Sequence, residues 1–234
     1  MKSADRPYPP LADIAALVPA AGQGTRLGMG PKAFVPVDGR TLLAWAVAAL
    51  SGLVGRILIG VPAADVERAR AEVGEAAEVH PGGSTRQETV RGLFSLCRER
   101  IVVLNDLVHP FVTRDLFVRV IEVADNRGAA MAFLPPQKPC GRCQDGLVTA
   151  SIPAREIGFH QNPQAYHHDI LARSFQRAVD DCIELQSTWE LVVRTGVPVH
   201  AVPGDERNIK ITTTLDWEVA NKVIAPAFSR SNSK

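Results

Sequence analysis

The chain has 234 residues, of which 46% are hydrophobic and 22% charged, with a formal net charge of +1 at pH 7. That is enough apolar material for one full core, and the near-neutral balance argues against nucleic-acid binding by bulk electrostatics. No apolar run approaches the ~20 residues needed to span a bilayer. The start of the chain is polar and proline-rich with no apolar signal-peptide core, so the expectation is a soluble, cytoplasmic protein that binds neither nucleic acid nor membrane.

Residues 1–12 read as a disordered leader. Residues 14–18 form an apolar run, a buried strand, and lead into a loop with four glycines and two cations before Ala33. Leu42, Leu43, Ala46, Val47 and Leu50 stand at helical spacing. A strand at 56–61, a helix at 63–73 and a short strand at 77–80 follow. A helix is expected over 86–100, with Ser84 as N-cap and Gln87 three residues on. The strand at 101–104 ends just before Asp106, a helix at 114–126 is closed by Gly128, and 129–134 is another buried strand. This alternation predicts an α/β, Rossmann-like, three-layer fold, its mostly parallel sheet covered by helices on both faces.

The alternation fails over 135–163, which holds five prolines, three glycines and one β-like piece at 147–152. A long irregular insertion in a compact domain is usually functional. Helices at 166–180 and 188–195, a strand at 197–202 and a helix at 215–224 complete one domain over 13–225, with a polar tail at 226–234. Cys140 and Cys143 form a C-x-x-C, but no second such pair or paired histidine motif accompanies them. Although His160, His167 and His168 could complete a metal site, the cysteines read as free thiols in a reducing cytosol.

The glycine loop carries the chemistry. Gly22 and Gly24 allow close backbone approach to a ligand, and the N–H groups of such a loop cradle anions. Arg26 adds a planar charged fork and Lys32 a point charge. The spacing G-x-G-x-x-x-G from Gly22 is one residue longer than the dinucleotide fingerprint, and no Gly-Lys-Ser/Thr follows as in a P-loop. The loop therefore reads as a nucleoside triphosphate cradle. Asp106 and the Ile209-Lys210 segment also fall at or near strand ends, where ligands of open α/β sheets bind.

Pro19-Ala20-Ala21-Gly22-x-Gly24-x-Arg26 with Pro31-Lys32 resembles the signature of sugar-phosphate nucleotidyltransferases, and most of all the 2-C-methyl-D-erythritol 4-phosphate cytidylyltransferase family. The stretch from Gly82 through Ser84, Thr85, Arg86, Gln87, Glu88 and Thr89 to Val90 extends the resemblance, as do Asp106 before Pro110, Gln161-Asn162-Pro163-Gln164 and Asn208-Ile209-Lys210-Ile211-Thr212. The resemblance implies transfer of CMP from CTP to a small polyol phosphate. Arg26 and Lys32 would hold the β- and γ-phosphates, and Lys210 the α-phosphate and the incoming acceptor. Pro19, Gly22, Gly24 and Thr25 would cradle the nucleotide. Ala20, Ala21, Gly83, Ser84 and Thr89 would read the base through backbone groups, and Asp106 would hold the ribose or the metal-nucleotide complex. Mg²⁺ would be bound mainly by phosphates, with no dedicated protein ligands. An extended β-arm at about 136–163 would reach a second subunit in a homodimer.

The acceptor half departs from the family. The family's Asp-x-x-Arg-Pro reads Asp106-Leu107-Val108-His109-Pro110, so a histidine replaces an arginine that grips the acceptor. Cys140 and Asn162 stand where the family has hydroxyl donors, Arg155 is recovered only with a one-residue gap, and Trp189 lies in a replaced segment. His109, Cys140, Arg155 and Asn162 are the candidate acceptor contacts. An acceptor such as ribitol phosphate or a phosphonate, another nucleotide such as UTP, and a non-catalytic nucleotide-binding relative remain as alternatives; residue chemistry alone does not separate CTP from UTP.

Overall fold

The structure is a computed structural model that describes residues 8–24 and 27–231. In chain order its elements are β1 (Ile14–Pro19), β2 (Pro36–Val37), β3 (Arg40–Thr41), α1 (Leu42–Leu50), β4 (Arg56–Val61), α2 (Val66–Val73), β5 (Glu78–Pro81) and α3 (Arg86–Phe94). They continue with β6 (Ile101–Leu104), α4 (Arg114–Arg127), β7 (Ala129–Leu134), β8 (Cys140–Gln144), β9 (Leu147–Ile152), β10 (Phe159–His167), α5 (His168–Asp180), α6 (Thr188–Arg194), β11 (His200–Pro203), α7 (Thr214–Val219) and α8 (Ala225–Ser231). The main sheet has seven strands in the order β11-β7-β10-β6-β1-β4-β5. All its pairings are parallel except those of β10, which runs antiparallel to both β6 and β7.

The continuous apolar runs of the inner strands follow from burial on both faces. Ile14, Ala16 and Val18 of β1 point into one core with α1, α2, α4 and α8, while Ala15 and Leu17 point into the other with α3, α5 and α6. β6 divides likewise, Ile101 and Val103 to the first core, Val102 and Leu104 to the second. Helix starts are set by threonine caps: Thr41 accepts from Ala44 N, Thr113 from Leu116 N, and Thr213 forms a capping box with Asp216.

Several expectations need correction. The helix predicted over 86–100 stops at Phe94, where Ser95 Oγ bonds the Gly92 carbonyl at 2.7 Å and diverts a helical acceptor. Its cap is Thr85, whose hydroxyl accepts from Glu88 N; Ser84 instead donates through its N–H and hydroxyl to the Glu88 carboxylate. The segment at 159–167 is a central strand rather than irregular chain. Pro163 argues against that from sequence, but the pairing with β7 skips from Gln161↔Ala132 to Gln164↔Met131, so the proline sits where no ladder bond is needed. The helix expected from Tyr166 begins at His168.

Both ends hold more structure than predicted. Residues 1–7 and 232–234 lie outside the described residues, but Tyr8 donates its hydroxyl to Leu53 O at 2.8 Å and Pro9 is buried, so the leader does not extend to residue 12. Beyond a π-helical turn at Ala220–Ile224, α8 occupies most of the expected polar tail. The cause is Phe228, whose ring lies 5.5 Å from that of Phe111 and 6.1 Å from that of Trp45. Leu50 is fully buried in the core beneath α1. Leu50→Ala is expected to cost about 2–5 kcal/mol of stability, read from the urea midpoint at constant m-value.

Candidate active site

The chain leaves β1 through β4 and β5 on one side and returns to pair β6 on the other. Strand order therefore reverses at β1, and a crevice opens beyond its carboxyl end. Three backbone bonds square off its floor: Asn105 N to Leu17 O at 3.1 Å, Ala20 N to Gly60 O at 2.7 Å and Gly82 N to Val61 O at 2.7 Å. The resulting cleft of about 250 Å³ is lined by residues from three chain segments beyond β1, β5 and β6, with Lys210 arriving from a fourth.

Pro19, Ala20, Ala21, Gly22 and Lys32 form the first wall. Gly24 has φ +68°, and a Cβ there would stand 2.2 Å from Gly30 O, so glycine is required. Lys32 N donates to Gly22 O at 3.1 Å and its side chain runs past Gly22, where a Cβ would meet Lys32 Cδ at 3.5 Å. The loop thus folds back and delivers Lys32 to the cleft. Thr25, expected to cradle the nucleotide, and Arg26, expected to hold its β- and γ-phosphates, lie outside the described residues.

Gly83, Ser84, Thr85, Arg86 and Thr89 form the second wall. At Gly82 a Cβ would stand 2.7 Å from Ala21 Cβ, so glycine lets the two walls meet. Gly83 N donates to Thr89 Oγ1 at 3.0 Å, and Ser84 N to Glu88 Oε2 at 2.9 Å. These amides, like that of Ala20, are already bonded within the protein.

Asp106, Leu107 and Val108 form the third wall, joined by Lys210. Arg86 has no role assigned from sequence, yet it organises this corner. Its Nη2 donates to Asp106 Oδ1 at 2.6 Å, its Nε lies 3.1 and 3.2 Å from the two carboxylate oxygens, and Nη1 donates to Thr188 Oγ1 at 3.2 Å. The usable signal was an arginine opening a helix after Gly-Gly-Ser-Thr, with an aspartate ending the next strand. Burial raises the Asp106 pKa, but the Arg86 charge and hydrogen bonds, with His109 and Lys210, hold it below the ordinary carboxylate value.

The predicted acceptor contacts do not reach this cleft in one chain. His109 is 6% exposed, its Nδ1 3.2 Å from Asn208 Oδ1. Burial lowers its pKa to about 4, Lys210 acting the same way and Asp106 opposing, so it is a neutral buried residue and carries no partial charge near pH 7. Asn162 is buried and offers its backbone carbonyl to Asn208 Nδ2. Cys140 opens the exposed β8–β9 hairpin, and the Arg155 side chain is 81% exposed beside Glu156. Trp189 packs against the second core, its ring 5.9 Å from that of His160.

The sequence model of the 2-C-methyl-D-erythritol 4-phosphate cytidylyltransferase family matches residues 14–225. The chain belongs to this family. A relative of that name from Deinococcus radiodurans is 36% identical over 207 residues, covering 88% of this chain and 87% of its own. One from Thermus thermophilus is 34% identical over 218 residues, covering 93% and 98%. The crystal structure of the 2-C-methyl-D-erythritol 4-phosphate cytidylyltransferase from Thermus thermophilus superposes with a TM-score of 0.76 at 30% identity, over 90% of this chain and 98% of that one. The family's enzymes are nucleotidyltransferases, and its α/β fold is the one described above.

The Arg86–Asp106 pair makes stability pH-dependent in one direction. Because the folded Asp106 pKa lies below the unfolded value of about 3.9, the pair contributes fully above that value and its contribution is lost as pH falls through the folded pKa. Asp106→Asn should therefore be less stable than the parent by about 1.5–3 kcal/mol at pH 7. The gap should close in acid, where the parent carboxyl is itself protonated, as read from urea midpoints across pH.

Proposed function

We propose that the chain transfers CMP from CTP to 2-C-methyl-D-erythritol 4-phosphate and releases pyrophosphate, as in the synthesis of isoprenoid precursors. One observation carries this reading: in a chain of this family, Lys32 from the first loop and Lys210 from far down the sequence line the same strand-end cleft. An acceptor phosphate oxygen attacks the α-phosphorus. The bond from that phosphorus to the bridging oxygen breaks, and pyrophosphate leaves with the electron pair. The attacking oxygen is already anionic, so no strong general base is needed.

The obstacle is the meeting of two anions. Fixed cations lower it most where charge accumulates in the transition state. Lys32, with Arg26, neutralises the leaving β- and γ-phosphates. Lys210 faces the α-phosphate and the incoming acceptor. Asp106, held by Arg86, accepts from the ribose hydroxyls, while carbonyls of the Ala20–Ala21 and Gly83–Ser84 walls meet the amino group of cytosine. Mg²⁺ would offset part of the triphosphate charge. Asp106 is the one carboxylate among the described lining residues, and Arg86 already engages it, which supports phosphates and water as the principal ligands.

The reaction is placed in the cytoplasm, where CTP is available, and in a homodimer. Leu147 and Val148 on β9 are 68% and 76% exposed and Phe159 59%, apolar side chains that a second copy would cover. Cys140 and Arg155 lie on or next to that arm, and so would meet an acceptor in the cleft of the other copy.

A second reading keeps CTP and changes the acceptor to a related polyol phosphate or a phosphonate. It is favoured by the buried, neutral His109 at the position of the family's arginine. Pyrophosphate release should be followed with each nucleoside triphosphate across an acceptor panel. CTP with 2-C-methyl-D-erythritol 4-phosphate is expected to turn over fastest. Turnover with another nucleotide but not CTP would sink the reading, as would calorimetric CTP binding without turnover on any acceptor. Lys210→Ala and Lys32→Ala are each expected to lower kcat about 10²–10³-fold in the same assay.

A further inference from the structure

Asn208 is 1% exposed, and each of its polar groups has a partner. Its backbone N–H donates to Asp205 O at 3.0 Å, and its carbonyl accepts from Gln161 Nε2 at 3.1 Å. Its Nδ2 donates to Asn162 O at 2.7 Å, and its Oδ1 lies 3.2 Å from His109 Nδ1. The last two contacts determine where the hydrogen sits. A backbone carbonyl can only accept, so Nδ2 must face Asn162 and Oδ1 must face the imidazole. An amide oxygen also only accepts, so His109 Nδ1 must carry the proton.

This bond sits beside the reacting lysine in sequence and in space. His109 follows Val108, whose carbonyl accepts from Ile211 N at 2.9 Å. Residues 108 and 109 therefore grip positions 211 and 208, one on each side of Lys210. The same short segment carries Asp106 at the end of β6, and Lys210 is close enough to lower the pKa of both Asp106 and His109.

We propose that His109 is a positioning residue for the transfer reaction: its Nδ1–H, bonded to Asn208, ties the segment carrying Lys210 to the end of β6 and so sets the place of the ammonium group beside Asp106. This inference rests on the reaction proposed above. It gives position 109 a role different from the family's acceptor-gripping arginine. The ring contributes a directed hydrogen bond, not a charge, and the acceptor phosphate is left to Lys210 within the cleft.

Two substitutions separate this role from simple packing. His109→Leu keeps an apolar side chain of similar bulk but leaves the Asn208 oxygen unbonded. His109→Asn places an amide N–H close to where Nδ1 stands. Turnover of CTP with 2-C-methyl-D-erythritol 4-phosphate should fall about 10- to 100-fold in kcat for the leucine variant. KM for CTP should stay within about threefold of the parent, as for loss of an interaction acting mainly in the transition state, and the asparagine variant should recover most of the rate. A leucine variant at the parental rate would overturn the role. So would an asparagine variant as slow as the leucine one, or a raised acceptor KM with kcat kept, which would make His109 a direct acceptor contact.

A measurement on the unsubstituted protein guards against variants that fail to fold. Nitrogen-15 NMR of the histidine rings, with His109 assigned by its loss in the asparagine variant, should find a neutral ring protonated on Nδ1 at pH 7. A ring protonated on Nε2, or on both nitrogens, in an enzyme that turns over CTP would overturn the positioning role alone. No turnover by the unsubstituted enzyme would overturn the reaction and the role with it.

Discussion

The cleft depends on β1 being held from every side. Its edges pair with β4 and β6, its faces are covered by two cores, and Ile14, Ala15, Ala16, Leu17 and Val18 are fully buried. A strand so enclosed cannot shift its register without moving side chains between cores. Its carboxyl end is thus a fixed reference from which the glycine loop departs on the way to α1 and β4. Because the walls are anchored to strand ends by short backbone bonds, the loops need little side-chain packing of their own. Small residues can then line the cleft without loss of definition.

On that rigid floor the decisive property is the local sign of charge. The chain as a whole is nearly neutral at +1, so its overall balance says little about what the cleft attracts. Within the cleft, Arg86 and Asp106 offset one another, while Lys32 and Lys210 add positive charge to the lining. Pairing the carboxylate has a second effect. It keeps Asp106 ionised yet rigid, so its lone pairs present fixed acceptors rather than a mobile charge that could collapse onto either lysine. Such a surface is suited to an anion with several charged groups in a row.

The legible parts of this architecture were those written in contiguous sequence. The runs of β1, β4, β6 and β7 are apolar because both faces are covered, α1 carries its periodicity within its own span, and Gly128 marks the end of α4. Gly24 stood out by glycine spacing, and Lys32 and Lys210 by the motifs that resemble the family's, since a lone lysine near a strand end is as readily a solvated surface residue. Arg86 was not, since its partner stands twenty positions away across the sheet and an arginine at the start of a helix is commonplace alone. β10 was obscured by Pro163, and the end of the chain by a single phenylalanine whose partners, Trp45 and Phe111, lie more than a hundred positions earlier in the sequence. In each case the missing information was a long-range contact, which periodicity cannot carry.

The acceptor side illustrates the same limit in a sharper form. His109 and Asn162 stand at positions where the family places acceptor contacts, yet both are buried: the His109 ring meets the Asn208 side chain, and the Asn162 backbone carbonyl accepts from it. Buried polar groups tend to find partners, and here the His109 ring and the Asn208 side chain partner one another. Position 109 cannot grip an external phosphate and satisfy Asn208 with the same nitrogen. On the positioning role proposed for His109, what the cleft gives up in charge at that position it recovers as order around Lys210, because an ammonium on a flexible stem is effective only when its attachment is held still. Any further grip on the acceptor then has to come from residues outside this buried group. Arg155, on the exposed arm and largely hydrated in the single chain, becomes useful only where a second copy, as proposed, brings it to a cleft and strips that water away.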